Sequence, residues 1–308
     1  MSTGFHAMQR RLVLVMHQGM NDRVVVLCAG ALVEFVCEHR AAALEPRRIG
    51  LQDDAVGLVA GSTVGYGKQE ALQYSVLVFG KQYEFGIDQG LDRPMTLVSA
   101  PAGYGKSTLI SQYLEARSHT AVWVSLDERD NDLRTFLAYW VEAIHQISPM
   151  ALAEISSLLK VEQLPSQRVL TATLVNEMMQ IDDRFVLVLD DFHQIDAPEI
   201  HALVRDILRH PPASLHLILA TRIDPSLNLL QMRARREIGE VRAKEVCFTV
   251  DETAAFLNRT LGESTVAAVA NDLTERTEGW ITGMYLIALA AKNPADLAQI
   301  SSVRPGEH

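Results

Sequence analysis

Through the middle of the chain, apolar runs of strand length alternate with segments that have the apolar spacing of helices. The apolar runs cover residues 96–100, 121–126, 185–189 and 215–221. The helical spacing covers residues 106–116, 131–147, 167–181 and 198–209. Strands that alternate with helices predict a parallel sheet, and strands that are apolar at successive positions predict that both faces are covered. We therefore expect an α/β fold with a mostly parallel, doubly wound sheet.

The two ends of the chain have a different pattern. Before residue 86, the segments 11–16, 23–33 and 74–79 are β-prone, but no cap or period assigns a fold to residues 1–85. After Arg222, the pair Asp224-Pro225 interrupts the strand pattern. Helices are then predicted at 229–236, from an Asp251 cap to 257, at 264–276 and at 280–292, followed by a polar tail. This end of the chain is expected to form a small all-helical domain.

Composition limits the classes of function. The chain has 308 residues, 48% of them hydrophobic, which fits a folded protein with a sizeable core. Its net charge of −10 argues against a surface that coats nucleic acid. Cys28, Cys37 and Cys247 have no metal-ligand spacing, which fits a reducing compartment. Because the apolar run 24–33 is too short to cross a bilayer, we expect a cytoplasmic protein without a membrane segment.

Residues 97–108 combine an apolar run, a glycine-rich turn and the sequence Gly-Lys-Ser-Thr at the start of a predicted helix. This order is typical of a P-loop, whose backbone N–H groups surround a triphosphate at the positive end of a helix. Lys106 is expected to reach the β and γ phosphates, and Ser107 to bind Mg²⁺. Ala100 stands where the strict pattern has its first glycine. The predicted nucleotide contacts are Ala100, Gly103, Tyr104, Gly105, Lys106, Ser107 and Thr108.

Two further strand ends supply candidate chemistry. The apolar run 185–189 ends in Asp190-Asp191, so that Asp190 is a candidate Mg²⁺ ligand and Asp191 a candidate for orienting the attacking water. The alternative is a strand that ends in solvated acids. Arg222 follows the apolar run 215–221 and is placed to reach a γ-phosphate. From the chemistry alone, a surface arginine bonded to a carboxylate is an equal alternative for Arg222.

Five blocks in this order resemble the ATPase module of MalT-like, large LuxR-type transcription regulators, which belong to the STAND class of P-loop NTPases. The blocks are residues 96–108, 122–132, 187–193, 219–225 and 273–289. The resemblance implies a switch that rests with ADP, self-associates with ATP and inducer, and is reset by slow hydrolysis. It also implies that DNA binding belongs to the full-length family and not to this chain, which shows no helix-turn-helix. It further identifies Arg222 as the γ-phosphate sensor and the Gly279-Trp280 block as part of the helical domain that packs on the nucleotide.

The combined interpretation assigns catalytic roles to Lys106, Asp190, Asp191 and Arg222, with Ser107 and Asp190 as Mg²⁺ ligands and ATP or ADP as the nucleotide. The predicted domains are a P-loop NTPase domain at 86–228, the helical domain at 229–293, an unassigned extension at 1–85 and a tail at 294–308. Two alternatives stay open. One is an ATP-dependent enzyme such as a small-molecule kinase, and the other is a nonfunctional fragment of a split regulator.

Overall fold

The computed structural model describes the strand residues 13–16, 23–28 and 31–36 and the residues 92–117, 119–261 and 266–290. The strands in these ranges are β1 (Val13–Met16), β2 (Arg23–Cys28), β3 (Ala31–Val36), β4 (Met95–Ser99), β5 (Ala121–Ser125), β6 (Phe185–Asp190), β7 (Leu215–Thr221) and β8 (Ile238–Arg242). The α-helices are α1 (Lys106–Ala116), α2 (Leu133–His145), α3 (Ala153–Leu158), α4 (Gln167–Met178), α5 (Pro198–Arg209), α6 (Leu229–Arg235), α7 (Ala243–Val246), α8 (Val250–Leu261), α9 (Val266–Thr277) and α10 (Ile281–Ala290). Short 3₁₀ turns cover Glu128–Asp130 and Phe192–Gln194.

The described strands form one sheet in the order β3-β2-β1-β5-β6-β7-β4-β8. The pairs β5–β6, β6–β7 and β4–β7 are parallel, as predicted from the alternation of strands and helices. In this register Leu189 of β6 lies beside Leu219 of β7, so these strands end at the same edge. Strands β1, β2 and β3 are antiparallel to their neighbours. Strands β1 and β2 lie within two of the β-prone segments that the sequence left unassigned, and β3 begins in the second of these and extends beyond it to Val36. The third such segment, 74–79, and the tail 294–308 lie outside the described residues.

The chain divides into two compact units. Among the described residues, the first unit contains 92–99 and 113–241 together with β1, β2 and β3. The second contains 100–112 and the residues described from 242 onward, so the glycine-rich loop belongs to the same unit as helices α7 to α10. The domain limits proposed from the sequence remain predictions.

The core of the first unit lies on both faces of its central strands. Every residue of β4, β6 and β7 is buried, which is the outcome expected for strands that are apolar at successive positions. Helix α2 begins at Leu133 with Asp132 as its N-cap, and the Asp132 carboxylate accepts from the Thr135 N–H at 2.8 Å. Its fully buried rings, Phe136 and Trp140, pack with centroids 5.9 Å apart.

A buried histidine lies in β7. The His216 Nδ1 is 2.8 Å from the Arg93 carbonyl oxygen, which only accepts, so Nδ1 carries the proton and donates. The Nε2 then accepts from the Thr96 hydroxyl at 3.1 Å. Burial, together with the nearby positive charges of His119 and Arg184, lowers the pKa of His216 to about 4. His216 is therefore a neutral core residue at physiological pH.

The second unit has its own apolar core, which includes Phe248, Phe256, Leu257, Leu273 and Met284. The rings of Phe248 and Phe256 meet edge to face with centroids 6.3 Å apart. The prediction that Asp251 caps this helix was wrong, because α8 begins at Val250 and the side chain that accepts from its first turn is that of Thr249. The Glu252 carboxylate accepts from the Thr249 N–H at 2.8 Å, and the Glu252 N–H donates to Thr249 Oγ1 at 3.3 Å. This reciprocal capping box leaves Asp251 in the first turn.

Candidate nucleotide-binding site

The glycine-rich loop runs from Ala100 to Gly105, between the end of β4 and the start of α1. Gly103 and Gly105 both have φ of +77°, a left-handed conformation that glycine adopts without a steric penalty. Ala100 does not have a positive φ and is 2% exposed. The backbone therefore needs glycine at 103 and 105 but not at 100, which explains why alanine replaces the first glycine of the strict pattern.

Lys106 is the first residue of α1, and its side chain lies inside the loop. It is 7% exposed, and its Nζ donates to the carbonyl oxygens of Ala100 at 2.9 Å and Pro101 at 3.1 Å. These two bonds hold the ammonium group of Lys106 against the backbone of the loop, at the N-terminal end of α1. Lys106 thus lies where the glycine-rich loop meets α1, and its contact with phosphate remains a prediction.

The other predicted contacts of the loop differ in exposure. Ser107 is exposed in the first turn of α1, whereas Thr108 is half-buried. Tyr104 is half-buried as well. Burial raises the pKa of the Tyr104 hydroxyl above its ordinary value, and the nearby groups of Glu278 and Cys247 raise it further. Tyr104 therefore stays protonated at physiological pH and keeps its O–H donor.

Two side chains at the start of α10 bind the loop at Ala102 and Gly103, within the second unit. Trp280 precedes this helix, and Thr282 lies in its first turn. The Trp280 indole N–H donates to the Ala102 carbonyl at 3.0 Å. The Gly103 carbonyl accepts from both the Thr282 N–H at 3.2 Å and the Thr282 hydroxyl at 2.9 Å. We call Trp280 and Thr282 the loop clasp. The sequence signalled the Gly279-Trp280 block only through the family resemblance, and it gave no sign that Thr282 takes part.

The clasp leaves no room for a side chain at the top of the loop. A Cβ on Gly103 would lie 2.5 Å from Trp280 Nε1 and 2.6 Å from Thr282 Oγ1, closer than real Cβ contacts. Gly103 is thus required twice, for its positive φ and for this close approach.

Asp190, Asp191 and Arg222 belong to the first unit. Asp190 ends β6 and is buried, and its Oδ1 accepts from the Asp191 N–H at 3.0 Å. Asp191 has a left-handed φ of 55° and a side chain that is 44% exposed, with His193 Nδ1 3.8 Å from its Oδ1. Arg222 is exposed one residue beyond β7. Because β6 and β7 are parallel neighbours, these three residues lie at one edge of the sheet.

Each unit contributes one oxygen donor of a type that binds Mg²⁺, Ser107 in the second unit and Asp190 in the first. Mg²⁺ is commonly bound by one or two protein oxygens plus substrate phosphates and water. The Ser107 hydroxyl and the Asp190 carboxylate are oxygen donors of this kind. In the part of the chain that the structure describes, no group of three or more His, Cys, Asp or Glu residues is arranged to hold a metal ion.

Comparison with known proteins identifies the module. Residues 86–220 match the family described as AAA ATPase domain. Over 210 residues, the chain is 34% identical to the HTH-type transcriptional regulator MalT of Yersinia pestis, and the MalT of Klebsiella pneumoniae gives the same identity. This part of the chain is a MalT-like P-loop ATPase module. The alignment covers 68% of this chain but 23% of either relative, so the chain spans about a quarter of the length of the MalT proteins it matches.

Two solved structures also resemble the chain. The Walker-type ATPase PABY2304 of Pyrococcus abyssi has a TM-score of 0.43 and 15% identity, covering 72% of this chain and 70% of that one. Cdc6p from Pyrobaculum aerophilum has a TM-score of 0.43 and 18% identity, covering 77% and 65%. Among the helices described here, none has the length and apolar character needed to cross a membrane.

Proposed function

We propose that the MalT-like module binds ATP and ADP and acts as the regulatory switch of a transcription regulator. The observation that carries the proposal is Lys106, a buried ammonium at the first residue of α1 inside a loop with two left-handed glycines. A loop of this form, followed by a helix N-terminus, attracts phosphate through backbone N–H groups and the helix dipole. The 34% identity with MalT supports a regulatory rather than a metabolic use of the nucleotide.

Each predicted residue has a defined task in this proposal. Lys106 donates to phosphate oxygens, and Ser107 and Asp190 are the proposed Mg²⁺ ligands. When bound, Mg²⁺ would neutralise charge on the phosphates. Asp191 orients the attacking water, and Arg222 senses the γ-phosphate.

The switching part of the proposal rests on the loop clasp. Trp280 and Thr282 bond to the carbonyls of Ala102 and Gly103, in the same loop that would receive the phosphates. A nucleotide that changes the loop therefore changes contacts of α10 within the second unit. We propose that slow hydrolysis resets this state and that the ATP form self-associates. DNA recognition would belong to a longer protein of the MalT kind.

The test is nucleotide-dependent stabilisation of the full chain, measured by thermal unfolding with MgATP and with ADP. A site filled at a hundredfold excess over Kd should gain about 2.7 kcal/mol of stability. Lys106→Met keeps the apolar stem and removes the ammonium, so it should abolish the gain with MgATP. Lys244→Met, an exposed lysine in α7 of the same unit, is the matched control and should keep the gain.

Two results would contradict the proposal. The first is a wild-type chain that neither nucleotide stabilises. The second is rapid phosphorylation of a small acceptor, which would indicate a kinase instead. An equal gain in wild type and Lys106→Met would remove Lys106 from the site while leaving nucleotide binding in place.

A further inference from the structure

Asn131 joins two loops of the first unit through all four hydrogen-bonding positions of its amide. Its Oδ1 accepts from the N–H groups of Asp196 at 2.6 Å and Ala197 at 2.9 Å. Its Nδ2 donates to the carbonyl oxygens of Glu128 at 3.0 Å and Gln194 at 2.8 Å. An asparagine amide has two acceptor lone pairs and two N–H donors, so its capacity is fully used.

The partners also fix the orientation of this amide. Two of them are N–H groups and two are carbonyl oxygens, so exchanging the amide oxygen and nitrogen would break every one of these bonds. Glu128 and Asn131 are three residues apart, whereas Gln194, Asp196 and Ala197 lie more than sixty residues further along the chain. Asn131 therefore bridges the loop after β5 to the loop that connects β6 with α5.

The second of these loops begins with Asp191. Its left-handed φ of 55° is a conformation that persists in a non-glycine residue when the surroundings hold it. The Gln194 N–H donates to the Asp191 carbonyl at 2.9 Å, and the fully buried Phe192 anchors the turn between them. Asn131 binds the Gln194 carbonyl and the N–H groups of Asp196 and Ala197. It therefore fixes the end of this turn that lies opposite to Asp191.

We propose that Asn131 is a positioning residue for the Asp190–Asp191 pair. The inference rests on the proposed role of that pair in ATP hydrolysis and assigns Asn131 no contact with nucleotide. Holding the turn at its far end limits the positions of the Asp191 carboxylate, which is the group expected to orient water. Glu128 and Asp196 are exposed, so water can replace their lost bonds and a variant at 131 should still fold.

The test compares Asn131→Ala with wild type in the full chain. In the nucleotide-free protein, hydrogen exchange of the Asp196 and Ala197 amides should accelerate at least about tenfold. The kcat for MgATP hydrolysis should fall between about tenfold and a hundredfold. The Kd for MgATP should stay within about twofold, because phosphate binding is assigned to Lys106 and its loop.

Two further variants sharpen the test. Asn131→Asp keeps the acceptor side of the amide but loses both N–H donors, so its kcat should fall as in Asn131→Ala. A wild-type kcat in this variant would overturn the proposal that Asn131 positions the acidic pair. Asn271→Ala removes an exposed asparagine whose bond goes to Glu275 in α9, and it should match wild type.

The two proposals fail separately. Unchanged exchange at Asp196 and Ala197 in Asn131→Ala overturns the positioning role, and so does an unchanged kcat with faster exchange. A wild-type chain that does not bind MgATP overturns the proposed function instead, while the exchange measurement on the nucleotide-free chain still decides whether Asn131 holds the loop.

Discussion

Replacing Gly103 by alanine perturbs the loop clasp at its closest approach. The new Cβ would lie 2.5 Å from Trp280 Nε1 and 2.6 Å from Thr282 Oγ1, so both side chains must move. The φ of +77° costs a residue with a Cβ about 1–2 kcal/mol. Moving the clasp weakens the bonds to the Ala102 and Gly103 carbonyls, each of which contributes about 1 kcal/mol. The expected loss is about 3 kcal/mol.

Hydrogen exchange of peptides from residues 100–112 measures this loss where it occurs. A change of about 3 kcal/mol in local opening corresponds to exchange about a hundredfold faster. Thr282→Val removes one hydroxyl bond and keeps the backbone N–H bond, so it should cost about 1 kcal/mol. If the clash with Thr282 matters, the combined Gly103→Ala and Thr282→Ala variant should lose less than the sum of the single losses. Wild-type exchange in Gly103→Ala, or strict additivity, would refute the reasoning.

The buried histidine, the acidic pair and the cap of α8 can each be tested by one substitution. Because the pKa of His216 is about 4 when folded and near 6.5 when unfolded, the unfolded chain binds an extra proton between these values. The free energy of unfolding should thus fall by about 2 kcal/mol from pH 7 to 5 in urea titrations, and an equal fall in His216→Gln would contradict this. Asp191→Asn should slow MgATP hydrolysis at least about tenfold with little change in Kd, and unchanged turnover would exclude its role. Thr249→Ala should lose about 1 kcal/mol of stability, whereas Asp251→Ala should lose less; the reverse order would restore Asp251 as the cap.

The parallel sheet was predictable because its strands are buried on both faces. Continuous apolar runs give the location of β4, β5, β6 and β7 directly, and their alternation with helices gives the parallel arrangement. The ends of the parallel strands then predict which polar residues share one edge of the sheet. On this argument we expect Asp190 and Arg222 at the same edge; in the structure Asp190 ends β6 and Arg222 follows the neighbouring strand β7, while their chemical roles remain predictions.

Shorter elements depend on contacts that local sequence does not contain. Helix α3 has six residues, too few to be stable by propensity alone. Its N-terminus is satisfied by the Glu177 carboxylate of α4, which accepts from the N–H groups of Glu154 at 2.8 Å and Ile155 at 2.9 Å. Strand β8 has five residues, which include one glycine and two charged side chains. It forms as a strand through its pairing with β4 at the edge of the sheet. Neither element has a pattern that a sequence can reveal.

The nucleotide loop separates what sequence can predict from what only tertiary contacts decide. Its glycines fix the backbone, so the position of Lys106 follows from the motif. The motif does not predict which groups bind the carbonyl oxygens of the loop. Lys106 donates to those of Ala100 and Pro101. The clasp, about 180 residues further along the chain, donates to those of Ala102 and Gly103. The motif therefore predicts which side chain enters the loop, whereas the bonds of the clasp are visible only in the folded second unit.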